Sequence, residues 1–157
     1  MLQAFINLGS NVDAENNLSR GRLALNKEFG TLKESHTYRS PDVNGGRDVY
    51  LNCAVQLDCE LAYDRLKNVL RDIEIACGRD RRRPQSVSLD LDITLLFDRS
   101  LRAGKEYIVL PSVQDLSAPH VLMPLADLIP DWTHPLLKKD LISLAHETAP
   151  DAITRVT

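Results

Sequence analysis

The stretch Val87-Ser88-Leu89-Asp90-Leu91-Asp92-Ile93-Thr94-Leu95-Leu96-Phe97 alternates apolar and polar side chains over most of its length, the period of a strand with one face in a core. It predicts a strand over 87–97 in which Leu89, Leu91, Ile93 and Leu95 face inward while Ser88, Asp90, Asp92 and Thr94 face the other way. Alternate residues share a face, so Asp90 and Asp92 point together with Cα atoms roughly 6.5 to 7 Å apart. Just upstream, Arg79-Asp80-Arg81-Arg82-Arg83 sets a cationic loop beside that pair. Mg²⁺ prefers hard oxygen ligands, commonly one or two carboxylates with phosphates and water, and forked guanidinium groups suit the remaining phosphate charge. The juxtaposition points to a magnesium nucleotide, although a solvated strand face beside a hydrated loop produces the same alternation.

The elements around this strand follow from period and punctuation. Leu66, Val69, Leu70, Ile73 and Cys77 recur at helical spacing over 61–77, and Gly78 ends the helix just before the arginine loop. The apolar run 2–8 runs into Gly9-Ser10-Asn11, a strand followed by a turn. Leu18, Gly21, Leu25 and Phe29 line one face of a helix over 17–29 that Gly30 stops. Strands are expected over 31–38 and 50–57, with a turn-rich loop over 40–48 between them. Beyond the acidic strand come a turn over 98–105, a short strand over 107–110, and helices over 122–128 and 140–148, with Trp132 between them as a core or lid contact. Strand, helix, strand, strand, helix, strand is the split βαβ order of an α+β sandwich, with helices packed on a mainly antiparallel sheet.

At 157 residues the chain is expected to be one domain over 1–157, burying roughly two-thirds of its unfolded surface. Cys53, Cys59 and Cys77 are an odd number without metal-type spacing, which suits reduced thiols. No apolar run reaches the length of a membrane span, and the first residues lack a secretory signal, so a soluble cytoplasmic protein with no membrane partner is expected. A net charge of −3 argues against nucleic acid as a partner.

Several short motifs occur in one order: Leu8-Gly9-Ser10-Asn11, Tyr38-Arg39-Ser40-Pro41, Tyr50-Leu51-Asn52, Ile73-Glu74 with Gly78-Arg79, Leu89-Asp90-Leu91-Asp92-Ile93, and Pro119-His120. Together they resemble the 6-hydroxymethyl-7,8-dihydropterin pyrophosphokinase family of folate biosynthesis, whose members move a diphosphate from ATP to a pterin hydroxymethyl group. The resemblance implies a ferredoxin-like fold, two Mg²⁺ ions, and ATP and a pterin as small-molecule partners of a monomer. It implies that Asp90 and Asp92 hold the metal ions and that Arg79 and Arg81 belong to the nucleotide loop and to catalysis. Glu74, Ile93 and His120 would lie along the nucleotide, Glu74 toward the adenosine and His120 at the phosphates. Ser40, Pro41, Tyr50 and Asn52 would form the pterin pocket, Tyr50 stacking on the ring and Asn52 reading its edge.

The sequence departs from the family at functional places. Pro84-Gln85-Ser86-Val87-Ser88 stands where the family carries a tryptophan, glycine, proline and arginine, and the loop from Arg79 to Asp90 is shorter. Arg82 or Arg83 would have to supply the missing guanidinium. Val121 follows His120 where an aromatic residue is usual, which leaves one side of the pterin sandwich without its ring. Slow turnover or a different acceptor is therefore expected. Two alternatives stay open on the sequence: a diphosphokinase for another small alcohol, and a non-catalytic paralogue that binds nucleotide or pterin.

Overall fold

The computed structural model describes residues 1–42, 48–98, 107–109, 115–148 and 153–157. Strand β1, Leu2–Ser10, is buried along all but its first residue. It has partners on both edges. Helix α1 spans Ala14–Phe29, and two short strands follow, β2 at Lys33–Glu34 and β3 at Tyr38–Pro41. The long strand β4, Val49–Cys59, pairs antiparallel with β1 and also carries β2 and β3. Helix α2, Tyr63–Ala76, precedes β5, Asp90–Asp98, which takes the other edge of β1, again antiparallel. Strands β6 at Tyr107–Val109 and β7 at Thr154–Arg155 extend the two ends, giving the order β6-β5-β1-β4-β3-β7 with β2 also on β4. The inner order β5-β1-β4-β3, with α1 after β1 and α2 after β4, is the ferredoxin-like α+β sandwich that the sequence predicted.

Both faces of the sheet are used. Ala4, Ile6 and Leu8 of β1 point with Cys53, Val55 and Leu57 of β4 toward α1 and α2, where Leu18, Leu25, Leu66 and Leu70 meet them. All three cysteines are buried free thiols, as expected of reduced side chains. The opposite face carries Phe5, Ala54, Leu95 and Phe97 under a second helical layer, α3 at Pro119–Leu128 and α4 at Leu141–Thr148, which contributes Leu122, Leu125, Leu141 and Leu144. Burying a leucine fully is worth about 1.5–3 kcal/mol relative to leaving it exposed, so this layer is held by the same force as the first. Phe5 meets Phe97 edge to face at 5.6 Å between centroids, and Phe97 meets Trp132 at 6.2 Å, which makes Trp132 a core contact. Among the described residues no helix is long and apolar enough to cross a membrane.

Several expectations are corrected. Strand β5 starts at Asp90 rather than Val87, and its alternation breaks in the middle: Ile6 pairs with Ile93 but Phe5 with Leu95, which leaves Thr94 as an extra residue. This is a β-bulge, with Thr94 Oγ1 donating a hydrogen bond to the Phe5 carbonyl at 3.0 Å. The bulge reverses the facing beyond it, so Leu95 joins the face of Asp90 and Asp92, and Leu96 joins that of Leu91. The strand expected over 31–38 is split into β2 and β3, because from Glu34 opposite Val55 to Tyr38 opposite Asn52 one chain advances four residues and β4 three. Ser35 fills the break by accepting from the Ala54 N–H through its Oγ at 2.8 Å and donating its own N–H to the Ala54 carbonyl at 2.9 Å. The helix expected over 122–128 begins at Pro119, so His120 sits on its first turn. Of the loop expected over 40–48, Ser40 and Pro41 belong to β3 and 43–47 lie outside the described residues, as do 99–105 of the turn expected over 98–105.

Candidate active site

Strand register gathers the acidic pair and its neighbours. Asp90 lies opposite Gly9 of β1, which lies opposite Asn52 of β4, and Asp92 lies opposite Asn7. Residues directly opposite share a face. The two carboxylates and both asparagines therefore look onto one end of the sheet, and His120 approaches from α3. A hollow of about 160 Å³ is lined there by Asn7, Gly9, Ser40, Pro41, Asp42, Tyr50, Asn52, Asp90, Asp92 and His120. Every residue that the sequence assigned to the acceptor pocket is thus beside the acidic pair.

Local packing fixes the wall of this hollow. Asn52 Nδ2 donates to Ser40 Oγ at 2.9 Å, and a Cβ at Gly9 would come within 3.1 Å of Asn52 Oδ1, so a bare glycine lets the amide lie across β1. Burial, then the Asp42 carboxylate, push the Tyr50 phenol up from its ordinary pKa against the opposing pull of Arg79, so the ring presents a neutral face.

A larger cleft of about 660 Å³ opens on the other side of β5, lined by Tyr63, Asp64, Lys67, Asn68, Leu70, Arg71 and Glu74 of α2, by Arg81, and by Leu91, Asp92 and Ile93. Asp92 belongs to both spaces. Glu74, which helix polarity would leave as a solvated carboxylate, is only 3% exposed. Its Oε1 accepts from the Leu91 N–H at 2.7 Å and its Oε2 from Arg81 Nη2 at 2.9 Å. Burial raises its pKa, with the nearby Asp90 acting the same way, while the Leu91 N–H and Arg81 oppose them. Glu74 braces the arginine loop and the start of β5 against α2.

The four arginines of the loop are not equivalent. Arg81 reaches the larger cleft through Glu74. Arg79 leans toward Ser86, donating from Nη1 to its carbonyl at 3.4 Å, and its buried Nε has no hydrogen-bond partner among the described residues. Arg82 closes back on Asp80 with Nε and Nη2 at 3.0 and 3.1 Å, and its side chain is 91% exposed. Arg83 lines a separate hollow with Val12, Asp48, Pro84, Gln85 and Ser86. In this conformation neither Arg82 nor Arg83 lines the cleft beside Asp92.

Gly9 and Ser10, expected in a turn, are still strand, and the end of β1 with Asn11 after it has a structural task. Asn11 Oδ1 accepts from the Val87 N–H at 2.7 Å, its Nδ2 donates to the Gln85 carbonyl at 2.8 Å, and its own N–H donates to the Val87 carbonyl at 3.0 Å. Ser10 Oγ adds a bond to the same carbonyl at 3.2 Å. This end of β1 clamps the segment that delivers β5. Sequence reasoning missed the polar stripe of α2 on the larger cleft, although Tyr63, Lys67, Arg71 and Glu74 stand three or four residues apart, the spacing of one helical face. It also missed Asn7. Val121, in place of an aromatic residue, is buried in the second core.

A family model described as 7,8-dihydro-6-hydroxymethylpterin-pyrophosphokinase (HPPK) matches residues 5–130. A 2-amino-4-hydroxy-6-hydroxymethyldihydropteridine pyrophosphokinase of Methylorubrum extorquens is 33% identical over 135 residues, covering 83% of this chain and 85% of that protein. A protein of the same name from Synechocystis sp. is 31% identical over 148 residues, covering 92% of this chain and 75% of its own length. Among solved structures, Plasmodium falciparum HPPK-DHPS wild type with SDX-DHP superposes with a TM-score of 0.70 at 12% identity over 99% of this chain, which spans 47% of that larger chain. An HPPK-DHPS in complex with substrates gives a TM-score of 0.71 at 11% identity, over 99% of this chain and 48% of its own. At such identities the structures speak to the fold, and the family match speaks to descent: the chain belongs to the 7,8-dihydro-6-hydroxymethylpterin-pyrophosphokinase family.

Proposed function

We propose that this chain transfers a diphosphate from ATP to the hydroxymethyl group of 6-hydroxymethyl-7,8-dihydropterin, releasing AMP, as a single domain over 1–157 and a monomer in the cytoplasm. The names of its curated relatives support the reaction. One observation supports the location: Asp92 lines both the small hollow and the large cleft. An acceptor on the first side and a nucleotide on the second would meet at that carboxylate.

On the acceptor side, Tyr50 offers a neutral ring to a flat heterocycle, and Asn52, held by Ser40 beside Pro41, offers an amide to its edge. On the nucleotide side, Ile93 gives an apolar wall and Glu74 holds Arg81 at the cleft. Arg79, Arg82 and Arg83 lie outside the lining of the larger cleft, on the loop that carries Arg81, and would have to turn toward it to meet phosphates. His120, on the first turn of α3, lines the acceptor hollow rather than the larger cleft, so it would meet phosphates only where they reach the acceptor beside Asp92.

The donor set fits magnesium. Asp90 and Asp92 present hard oxygens on one face, and a magnesium ion held by two carboxylates commonly takes its other ligands from phosphate and water. When bound there, Mg²⁺ would neutralise phosphate charge and acidify the acceptor hydroxyl. The protein's share is placement: phosphoryl transfer depends mainly on alignment and charge neutralisation, so Arg81 and the two aspartates supply what the chemistry requires.

Incubation with MgATP and hydroxymethyldihydropterin, with AMP and the pterin diphosphate separated by chromatography, tests the reading. Equal amounts of the two products are expected, and Asp92→Ala should lower the rate by about 100-fold or more. AMP formed only with a different alcohol would move the assignment to that acceptor, and no AMP with any acceptor would overturn it.

A further inference from the structure

We infer that Asn7 is a further specificity-determining contact for the acceptor, a carboxamide on the floor of the small hollow that hydrogen-bonds the edge of the heterocycle next to its reacting arm. The inference rests on the proposed reaction and adds to it a residue outside the family motifs.

Asn7 occupies the middle of the central strand, where a polar side chain is ill suited. Its neighbours on the same face of β1 are Phe5, in the second core, and Gly9, under Asn52. An apolar side chain here would continue that core toward the hollow. The structure instead buries an amide that is 7% exposed, with an Oδ1 that has no hydrogen-bond partner among the described residues. A buried carbonyl left unpaired costs stability, and in native proteins such an atom calls for a water, an ion or a ligand.

Its surroundings identify the ligand class. Asn7 stands opposite Asp92 on one side and opposite Ala54 on the other, whose small side chain leaves space above the strand. Asn52 lies one row along on the adjacent strand and lines the same hollow, so two carboxamides face one small space. Nδ2 of Asn52 is already engaged by Ser40, whereas Oδ1 of Asn7 has no partner among the described residues. A carboxamide matches a flat heterocycle with adjacent donors and acceptors, and rotation of its last torsion presents either end. Beside Asp92, the atom that Asn7 reads belongs to the edge of the acceptor nearest the transferred group.

The test uses the full chain with Asn7→Ala and with Asn7→Leu, which keeps the branched shape without the polar atoms. Fluorescence titration with 6-hydroxymethylpterin, in the presence of Mg²⁺ and a nonhydrolysable ATP analogue, reports acceptor affinity without turnover, and steady-state rates report both KM values. Both variants should weaken pterin binding and raise the pterin KM by about 3- to 10-fold, the worth of one net hydrogen bond. The KM for ATP should stay within about twofold, the reproducibility of such a comparison rather than a lost contact. Melting temperatures should equal or exceed that of the parent chain, because an unpaired buried carbonyl has gone. Unchanged pterin affinity in an active enzyme overturns this inference alone, and so does a loss confined to Mg²⁺ or ATP. A fall in melting temperature in both variants marks Asn7 as structural and also overturns it. A parent chain that neither binds the pterin nor releases AMP removes the proposed reaction together with this inference.

Discussion

Glu74 ties three parts of the molecule together, and its replacement separates them in measurable steps. In Glu74→Ala the Leu91 N–H, now 2.7 Å from Oε1, is left buried without a partner, at a cost of about 1–3 kcal/mol. Removal of the ion pair with Arg81 adds about 0.5 kcal/mol or less, because that guanidinium is 56% exposed and screened by water. The lost methylene contributes about 0.8 kcal/mol more. Against these stands relief from holding a carboxylate in a buried place beside Asp90, the cause of its raised pKa. A net destabilisation of about 2 kcal/mol is expected. Glu74→Gln keeps an oxygen for Leu91 and loses the charge opposite Arg81, so it should cost about 0.5–1 kcal/mol. Urea unfolding followed by circular dichroism measures both, with the slope m unchanged. The KM for ATP should rise in both variants as Arg81 loses its anchor. Equal stability of the alanine and glutamine variants would refute the reasoning, since it would mean that the bond to Leu91 carries none of the difference.

Two other perturbations test the scaffold. Gly21→Ala would ordinarily stabilise a helix interior by about 0.8–1 kcal/mol, but the new Cβ would meet Leu89 Cδ2 and Cδ1 at 3.0 and 3.1 Å and Leu8 Cδ2 at 3.3 Å. Overpacking of that kind costs about 1–3 kcal/mol, so a net loss of about 1 kcal/mol is expected in thermal denaturation, and a raised melting temperature would contradict it. His134 is 1% exposed, its Nδ1 accepts from the Leu136 and Leu137 N–H groups at 3.2 Å each, and burial holds its pKa below the ordinary value. The unfolded chain therefore takes up this proton first, so stability is full above about pH 6.5 and declines as pH falls below it. Urea midpoints at several pH values should show that decline, weakened in His134→Asn, and identical slopes in the two proteins would count against it.

The parts legible from sequence are those whose signals are local. Leu66 and Leu70 announce α2 by spacing, and the clean alternation around Asp90 and Asp92 puts both on one face, where the structure has them. The run Leu95-Leu96-Phe97 has no alternation because both faces of β5 are covered there, and only the register with Phe5 and Ile6 reveals the bulge at Thr94. Glu74 reads as a surface carboxylate because its partners, Leu91 and Arg81, come from chain that folds back after the helix ends. The charge of the arginine loop is obvious in the sequence, but the sorting of its guanidinium groups depends on short captures such as Arg82 by Asp80. Asn7 gives no sign in the sequence, because a single polar residue in an apolar strand carries no periodic signal.

The bulge explains how one strand lines both spaces and still packs into both cores. Had alternation continued unbroken past Asp92, Thr94 and Leu96 would face the second helical layer, setting a hydroxyl beneath α3. The extra residue turns Leu95 and Phe97 to that side, where they pack with Phe5 and Leu122 and fix the helix whose first turn carries His120. Thr94 is satisfied within the bulge by the Phe5 carbonyl. The walls of the site therefore come from opposite layers: Glu74 and Arg81 from the α2 side, His120 from the α3 side, and the aspartates from the strand between them. Each wall is held by a different core, and both cores meet on β5. A change in either core moves one wall relative to Asp92, so positions far from the hollow act on the site through packing.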